Sequence, residues 1–544
     1  MFKGLLWVTF GFLLLAPAQA GKKDDSVSAD VKARKGTVSV IVQVNGELTD
    51  AKVAKVHAKS TAKKGILKWI RAVAVEMDAA AAMSLAEDSD IGYISIDREV
   101  RAAQTAASPD SGGGLFPVNF GFDGTGIGVA VIDSGLRTEV RDVKDRIVYS
   151  ESFVTGAKDA KDTYGHGSFI GSLIGGNGTD SKGLFQGIAR GVRLINLRVL
   201  DEDGAGSDSA VIAAIQRAIE LRKTYNIRVI NLSLGRPVME SYTTDPLCRA
   251  VEAAWKAGIV VVVAAGNFGR NEATQGYGTI TSPGNSPFVI TVGAMRTNGT
   301  VSRADDVMAT YSSKGPTQFD RIVKPDLVAP GNRIVSSDTP GDSVLYQRDK
   351  ANRVDKHYLR LNGTSVAAPM VSAAAALLLQ KTPGLTPDQV KARLMKTASK
   401  DFPRLTMVTD RTVNKIFYIN NDIFTVGAGY LDIEAALRSN DLAPGNALSP
   451  SAVLDPGRNT LSLNFGSNII WGSNIIWGSN IIWGSNIIWG SNIIWGSHII
   501  WGSTSVSGYN IIWGSNGTSA LNTKLWGEAT GLGPLSVMIG GDPQ

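Results

Sequence analysis

Three short segments, far apart along the chain, supply an acid, a base and a nucleophile. Asp133 ends the apolar run 127–132, His166 lies between two glycines, and Ser365 follows a Gly-Thr pair. A hydroxyl is a weak nucleophile at neutral pH, so it needs an adjacent imidazole to take its proton and a buried carboxylate to orient that imidazole. The three side chains together predict a serine hydrolase.

The surroundings of these residues favour that chemistry. The run before Asp133 is typical of a buried parallel strand, and functional groups in open α/β sheets lie at the carboxyl ends of strands. An Asp that only caps a helix is the alternative. Ser365 precedes the Ala- and Leu-rich run 371–379, which predicts a buried helix whose N-terminal N–H groups favour a developing negative charge. Pro369 is predicted to lie near the first helical turn, where no intrahelical donor is lost.

The wider segments 130–135, 164–168 and 362–369 resemble the motifs of subtilisin-like serine peptidases, which thread their triad in the order Asp, His, Ser. The resemblance covers roughly residues 36–440. It implies a subtilisin-like α/β fold and hydrolysis of peptide bonds through an acyl-enzyme. Two places depart from the common pattern: Ser-Phe-Ile follows the His-Gly pair where Thr-His-Val is common, and Val366 stands where Met is frequent.

The same resemblance implies roles for further residues. Asn267 closes the segment Ala-Ala-Gly-Asn after an apolar strand, and in the family this side-chain amide donates to the oxyanion. An extended substrate would lie between two edges of the domain and pair with them through main-chain hydrogen bonds. The residues implied in substrate binding are Gly204, Ala205, Gly206, Ser233, Leu234, Gly235, Ala264, Ala265 and Gly266.

Because such pairing reads the backbone, it predicts broad specificity. Gly235 and the segment 264–266 would line the first specificity pocket, and no charged residue stands at its base. An uncharged apolar side chain is therefore predicted to enter this pocket.

The catalytic domain is predicted over residues 112–440. Apolar strands alternate there with helical stretches at 207–225 and 245–257, which indicates a mostly parallel sheet covered by helices. The predicted strands lie near 127–132, 192–199, 227–233, 259–264 and 288–293. Two segments, 339–360 and 400–426, look like insertions, and a solvated loop is the favoured interpretation of the first.

The beginning of the chain predicts secretion. Lys3, the apolar run 5–15 and the Ala-Gln-Ala sequence at 18–20 match a signal peptide, assigned to residues 1–20. A retained membrane anchor is the alternative, but the run is short for a bilayer span. No other segment is apolar enough to cross a membrane, so the mature protein is predicted to be secreted or associated with the cell surface.

A charged linker, 21–36, precedes a segment of small elements at 37–108. Its β-α-β-β order, followed by another helix and strand, resembles the ferredoxin-like α+β propeptides of secreted subtilisin relatives. This resemblance implies an intramolecular inhibitor that lays its tail, about 100–108, across the active site, and a peptidase that matures itself. An accessory domain that stays attached is the alternative, and the junction residue is not predicted.

The C-terminal part is predicted as a linker at 441–465, repeats of Gly-Ser-Asn-Ile-Ile-Trp at 466–516 and a final segment at 517–544. A period of six is a multiple of two, so an extended chain would place all the tryptophans on one face. Residues 459–523 contain no Asp, Glu, Lys or Arg, and nothing there opposes self-association or surface attachment. The repeats are therefore predicted to be β-prone, with a disordered tail as the alternative.

Composition narrows the classes of function. The net charge of +6 is spread over scattered Lys and Arg residues, which gives little support for nucleic-acid binding. Cys248 is the single cysteine, so neither an internal disulfide nor a thiolate metal site is predicted. No cofactor or metal ligand is identified; calcium is common in the resembled family, but no ligands can be matched. An adhesive or structural repeat protein, whose peptidase serves only its own maturation, is the second functional hypothesis.

Overall fold

The computed structural model describes residues 26–103, 105–106, 120–300, 303–338, 343–403, 405–410, 413–455 and 460–464. The predicted signal peptide, the repeats and the final segment lie outside the described residues. We call residues 26–97 the N-terminal domain and residues 120–455 the catalytic domain.

The described strands, numbered in chain order, are β1 (Thr37–Val44), β2 (Ala62–Leu67), β3 (Ala72–Asp78), β4 (Ile91–Ile96), β5 (Glu99–Ala102), β6 (Thr105–Ala106), β7 (Gly128–Asp133), β8 (Ile147–Ser152), β9 (Arg193–Arg198), β10 (Ala205–Ser207), β11 (Ile227–Leu232), β12 (Leu234–Gly235), β13 (Val260–Ala264), β14 (Ile290–Arg296), β15 (Val307–Met308), β16 (Leu327–Pro330), β17 (Ile334–Ser337), β18 (Tyr358–Asn362), β19 (Leu405–Asp410), β20 (Lys415–Asn420), β21 (Ser451–Asp455) and β22 (Thr460–Asn464). The described helices are α1 (Ala29–Lys32), α2 (Asp50–Lys59), α3 (Ala79–Leu85), α4 (His166–Gly175), α5 (Asp208–Leu221), α6 (Pro246–Lys256), α7 (Val344–Arg348), α8 (Thr364–Lys381), α9 (Pro387–Thr397) and α10 (Ile433–Arg438).

The central sheet of the catalytic domain has the strand order β15-β14-β13-β11-β7-β9-β8, with β16 also paired to β14. Its pairs are parallel except for the short β15, which runs antiparallel to β14. Strands buried on both faces read as continuous apolar runs, and this is why the sequence predicts them well. The structure confirms a mostly parallel α/β sheet covered by helices.

The N-terminal domain forms an antiparallel sheet with the order β2-β3-β1-β4. With α2 between β1 and β2, and α3 between β3 and β4, this is the predicted ferredoxin-like topology. The strand predicted at 68–77 corresponds to β3, which begins later, at Ala72. Strand β2 was not predicted at its observed position, and its first residue, Ala62, lies in the predicted helix 51–62. Strand β2 is mostly exposed and reads Ala-Lys-Lys-Gly, so it lacks the apolar alternation that marks a strand.

The sheet of the N-terminal domain is buried on both faces. Val40 and Val42 of β1 pack with Val56 of α2 in the core of the N-terminal domain. Ile41, between the two valines, packs into the core of the catalytic domain. This alternation is the period of two expected of a strand. The second face therefore docks the N-terminal domain on the catalytic domain, where β2 contacts α5.

The packing of the catalytic domain continues beyond the predicted boundary at residue 440. Ala447 is fully buried, and its N–H donates to the Asp388 carboxylate at 2.7 Å. The Ala452 N–H donates to the Arg321 carbonyl at 2.8 Å. Residues 441–455 are thus part of the catalytic domain and not the predicted linker. Their Pro, Gly and Ser content is typical of a linker, but main-chain hydrogen bonds hold them to the domain, and composition does not reveal such bonds.

The segment 339–360, predicted as a solvated loop, is also packed where the structure describes it. Leu345 and Tyr346 of α7 are buried, and the Val344 and Leu345 N–H groups donate to the carbonyls of Thr163 and Tyr164, just before α4.

In the described part of the chain, no helix combines the length and apolar character needed to cross a membrane.

Candidate active site

Asp133 and His166 meet at the carboxyl edge of the central sheet. Asp133 is the last residue of β7, and His166 is the first residue of α4. The Asp133 Oδ1 atom lies 2.7 Å from His166 Nδ1, and both side chains are fully buried. A carboxylate in contact with Nδ1 favours the tautomer that carries its proton there. The other ring nitrogen, Nε2, is then a proton acceptor.

A polar network around Asp162 fixes the position of His166. The Asp162 carboxylate accepts hydrogen bonds from the Gly165 N–H at 2.7 Å, the Ser168 N–H at 2.7 Å and the Ser134 hydroxyl at 2.8 Å. These bonds satisfy N–H groups at the start of α4, which have no partner within the helix. No sequence pattern had singled out Asp162, because it lies outside the helix that it holds.

The glycine after His166 is required by close packing. A Cβ built on Gly167 would lie 2.1 Å from the carbonyl oxygen of Gly135, well inside van der Waals contact. The loop that follows β7 and the first turn of α4 therefore approach each other more closely than any side chain allows. This contact brings the Asp133 and His166 segments together.

Ser365 lies in the first turn of α8, which runs buried through the domain. Helix α8 packs against α4, and Ser365 is fully buried. Among the described residues, neither Ser365 Oγ nor His166 Nε2 has a hydrogen-bond partner. Both atoms are therefore available for a hydrogen bond, and catalytic hydrogen bonds commonly tighten only when substrate is bound.

Pro369 lies deeper in α8 than the sequence predicts. It is the sixth helical residue, so the helix loses the donor that would have bonded to the Ser365 carbonyl. The Ser233 hydroxyl replaces that donor at 2.7 Å. Asn231 donates in turn to Ser233 Oγ at 2.9 Å and accepts from the Ser372 hydroxyl at 2.8 Å. Sequence reasoning missed this use of Asn231 and Ser372, which depends on contacts between β11 and α8.

The Asn267 amide is oriented by Thr364, the residue before the serine. Asn267 Oδ1 accepts from the Thr364 N–H and from its hydroxyl, both at 3.0 Å. Its Nδ2 atom is buried and has no acceptor among the described residues. The amide orientation follows from this network, and it leaves a side-chain N–H group close to the start of α8, where Ser365 lies.

The predicted substrate edges are occupied by the chain itself. Strand β5 lies between β10 and β12 in an antiparallel sheet, with Val100 opposite Gly206 and Ala102 opposite Leu234. These edges hold the predicted residues Gly204, Ala205, Gly206, Ser233, Leu234 and Gly235. Residues 98–103, which we call the cleft strand, therefore take the place expected of an extended substrate.

The end of the cleft strand reaches Ser365. The Ala103 N–H donates to the Ser233 carbonyl at 3.0 Å, and the Ala103 carbonyl accepts from the Ser365 N–H at 3.1 Å. Beyond it, the backbone of β6 pairs with β18, immediately before α8. The chain thus passes across the site, and its Ala103 carbonyl accepts a hydrogen bond from an N–H group in the first turn of α8.

Cys248 is poorly suited to act as a second nucleophile. Burial raises the pKa of the Cys248 thiol well above its usual range, which disfavours a thiolate nucleophile. Within the described residues, no group of three or more His, Cys, Asp or Glu side chains is placed to hold a metal ion.

Comparisons with known proteins agree with this architecture. The model of the Subtilase family matches residues 124–420. Serine protease AprX from Bacillus subtilis (strain 168) is 37% identical over 322 residues, which cover 58% of this chain and 71% of that protein. Extracellular serine proteinase from Thermus sp. (strain Rt41A) is 32% identical over 358 residues, which cover 62% of this chain and 76% of that protein.

A solved structure shows the same fold. Fervidolysin from Fervidobacterium pennivorans, a keratinolytic enzyme related to subtilisin, matches with a TM-score of 0.58 and 21% identity. The match covers 78% of this chain and 64% of that one. The parallel sheet, the Asp–His contact at its carboxyl edge and the buried serine at a helix N-terminus are the features of a subtilisin-like serine peptidase. The family match extends over more than half of the chain. The protein belongs to the subtilase family and is a serine endopeptidase.

Proposed function

We propose that the chain is a secreted serine endopeptidase made as a precursor that inhibits itself and then cuts itself. The observation that carries this proposal is the Ala103 carbonyl, which accepts a hydrogen bond from the Ser365 N–H while the flanking chain fills the substrate cleft. The comparisons concern the peptidase domain and lend no support to the alternative of an adhesive repeat protein.

In the proposed mechanism, Ser365 Oγ attacks the carbonyl carbon of the bound peptide and His166 Nε2 takes the hydroxyl proton. Asp133 holds the Nδ1 proton and stabilises the imidazolium that forms. The oxyanion receives hydrogen bonds from the Ser365 N–H and from Asn267 Nδ2. His166 then gives its proton to the leaving amine, and water hydrolyses the acyl-enzyme by the same steps.

Replacing Asn267 with Ala is expected to lower kcat by about 10²–10³-fold, the loss measured for this kind of donor in subtilisin. The donor acts mainly on the charge of the transition state, so KM should change little. Steady-state kinetics on a tetrapeptide p-nitroanilide measure both constants. Asn298→Ala is the matched control, because Asn298 contacts Arg296 and Asp305 in a surface loop. An unchanged kcat in the Asn267→Ala variant would remove Asn267 from the oxyanion site.

Contacts of the N-terminal domain hold the cleft strand in place. The Asp97 carboxylate accepts from the Ser209 N–H and hydroxyl, both at 2.8 Å, at the start of α5. Arg98 donates to Glu240 at 2.5 Å, and both side chains are buried. Burial raises the pKa of Glu240, and the Arg98 guanidinium opposes that rise. A docked N-terminal domain would therefore exclude other substrates and act as an intramolecular inhibitor.

Self-maturation is expected to break the peptide bond on the carboxyl side of Ala103. The wild-type chain should yield a mature enzyme beginning at Gln104, because the Ala103 carbonyl accepts a hydrogen bond from the Ser365 N–H. The Ser365→Ala chain should accumulate as a precursor beginning at Gly21, with only the signal peptide removed. N-terminal sequencing and intact-mass measurement of both secreted proteins provide the test.

Ser84→Ala, which changes an exposed serine of α3, is the control and should mature normally. Normal trimming of the Ser365→Ala chain in a host without other peptidases would contradict self-maturation. A first cut at another bond would contradict the assignment of Ala103.

Secretion and surface attachment are further parts of the proposal. The signal-peptide pattern of residues 1–20 supports export, and one of the relatives is named an extracellular serine proteinase. Main-chain pairing along both cleft edges supports broad specificity. The uncharged repeats 466–516 would attach the enzyme to the cell surface or to other copies of itself. Release of the enzyme into the medium after truncation at Asn464 would support attachment, and unchanged retention would contradict it.

A further inference from the structure

We infer that helix α7 holds His166 in position to act as the base, and that Ser343 is the positioning residue that fixes α7. The inference rests on the proposed function and gives a role to the segment 339–360, which the sequence analysis interpreted as a solvated loop. The element through which α7 acts is the loop 162–165, which leads directly into His166.

The first two N–H groups of α7 donate to this loop. The first N–H groups of any helix have no acceptor within the helix. In α7 the Val344 N–H donates to the Thr163 carbonyl at 3.1 Å, and the Leu345 N–H donates to the Tyr164 carbonyl at 3.0 Å. The start of α7 therefore holds two successive peptide groups just before His166.

Ser343 fixes the start of α7 in two ways. Its hydroxyl oxygen accepts from the Tyr346 N–H at 3.1 Å, so Ser343 is the N-cap of the helix. The same hydroxyl donates to the Asp338 carboxylate at 2.8 Å, and Asp338 follows β17 directly. Both side chains are buried. The hydroxyl thus uses its donor and its acceptor at once, and it anchors α7 to the end of β17.

Ser343 also lies against the loop that leads into His166. A Cβ built on Gly165 would lie 2.6 Å from Ser343 Oγ and 2.9 Å from Asp338 Oδ1. This contact leaves no room for a side chain, and the φ of +105° at Gly165 favours glycine as well. The residue before His166 is therefore packed on the Ser343–Asp338 pair, so a displacement of this pair would reach His166.

The strands that flank α7 connect it to Ser365. Strand β17 pairs with β18 in an antiparallel register, with Ile334 opposite Leu361, and α7 lies in the connection between them. Strand β18 ends at Asn362, shortly before Ser365 at the start of α8. One end of this unit thus holds the loop of His166, and its second strand leads to Ser365. The unit can therefore set the position of the imidazole relative to the hydroxyl.

The test compares the mature Ser343→Ala and wild-type enzymes on a tetrapeptide p-nitroanilide. We expect kcat to fall by at least about 10-fold, since a misplacement of about 1 Å can cost about 10²-fold in rate. KM should change little, because the main-chain pairing of the cleft edges does not involve Ser343. The rate of fluorophosphonate labelling at Ser365 should fall by a similar factor, because that reaction needs the base but no bound peptide. Circular dichroism measures the folded fraction of each preparation.

A double variant tests whether Ser343 acts through His166. If α7 only positions the imidazole, adding Ser343→Ala to His166→Ala should cause no further loss of the residual activity. A further loss of about 10-fold in the His166→Ala background would show that the two residues act independently and would overturn the inference.

Controls separate positioning from stability. Thr386→Ala removes a cap of the same kind from α9, where the Thr386 hydroxyl accepts from the Gln389 N–H at 3.2 Å. It should lower Tm and leave kcat unchanged. Ser343→Thr keeps a hydroxyl at the N-cap and should restore most of the wild-type kcat. If Ser343→Ala does not fold, Ser343→Gly, which N-caps tolerate far better than Ala, should lower kcat because it also lacks the bond to Asp338.

The outcomes distinguish this inference from the proposed function. An unchanged kcat in Ser343→Ala, or an equal fall in Thr386→Ala, would overturn the inference alone. Failure of the wild-type enzyme to cleave any peptide, or full activity in His166→Ala, would contradict the proposed function itself.

Discussion

The Ser365→Ala variant is expected to lose about 10⁶-fold in kcat on a peptide substrate, the loss measured when the nucleophile of subtilisin is removed. The variant lacks the hydroxyl that would attack the peptide carbonyl. Among the described residues, Ser365 Oγ has no hydrogen-bond partner and lies at the N-terminus of α8, where the Ser365 N–H donates to the Ala103 carbonyl. His166→Ala should cost about as much. The double variant should be no slower than either single one, because the two side chains act as a unit.

Casein hydrolysis and a fluorophosphonate probe measure this prediction. The probe should label wild-type protein at Ser365 and should not label the Ser365→Ala variant. Ser150→Ala, which changes an exposed serine of β8 in the catalytic domain, provides the matched control and should keep full activity. Labelling at a different serine, or activity in Ser365→Ala within about 10-fold of wild type, would refute the assignment of the nucleophile.

Truncation of the chain after Asn440 is expected to destabilise the catalytic domain, whereas truncation after Asn464 should leave stability and peptide turnover unchanged. The shorter chain loses Ser449, whose hydroxyl donates to Asp326 at 2.6 Å and accepts from the Lys391 ammonium at 2.9 Å. Burial alone would raise the pKa of Asp326, but the ammonium groups of Lys324 and Lys391 outweigh it and lower that pKa.

Loss of the Ser449 hydroxyl leaves the buried Asp326 and Lys391 side chains each without one hydrogen-bond partner. This lowers the free energy of unfolding by about 1–3 kcal/mol. The buried Ala443, Ala447 and Ala452 are lost as well. We expect the truncated domain to unfold about 2–6 °C below wild type, following the usual relation between stability and Tm for a domain of this size. Thermal unfolding of inactive Ser365→Ala chains of both lengths avoids self-digestion. Equal Tm values would show that residues 441–464 are a dispensable linker after all.

Sequence reasoning predicted best what depends on local pattern. The buried strands of the central sheet and the glycines around His166 are visible as apolar runs and small residues. Strand β2 was missed because its exposed, Lys-rich surface carries no apolar alternation. Asp162 and Asn231 were missed because each acts through a segment distant in sequence. Their partners lie on other elements, and one sequence alone does not reveal such contacts.

The same limitation explains the misplaced end of the catalytic domain. Residues 441–455 read as a linker, yet Ser449 completes a charge cluster that joins Asp326 to Lys391. Pro369 depends on a distant contact as well. The proline is tolerated inside α8 because the Ser233 hydroxyl donates to the Ser365 carbonyl, which the proline leaves without a donor.

The cleft strand belongs to the same molecule as the site that it fills, and this has a consequence for how activity depends on concentration. While Ala103 remains joined to the catalytic domain, binding of the cleft strand is intramolecular, and its effective local concentration is in the millimolar range for short tethers. The fraction of molecules with an occupied cleft is then independent of the protein concentration. Once the bond after Ala103 is cut, the same contacts obey an ordinary dissociation equilibrium, and dilution empties the cleft. Under the proposed function, cleavage followed by release into a large volume would therefore start proteolysis outside the cell without any separate activator.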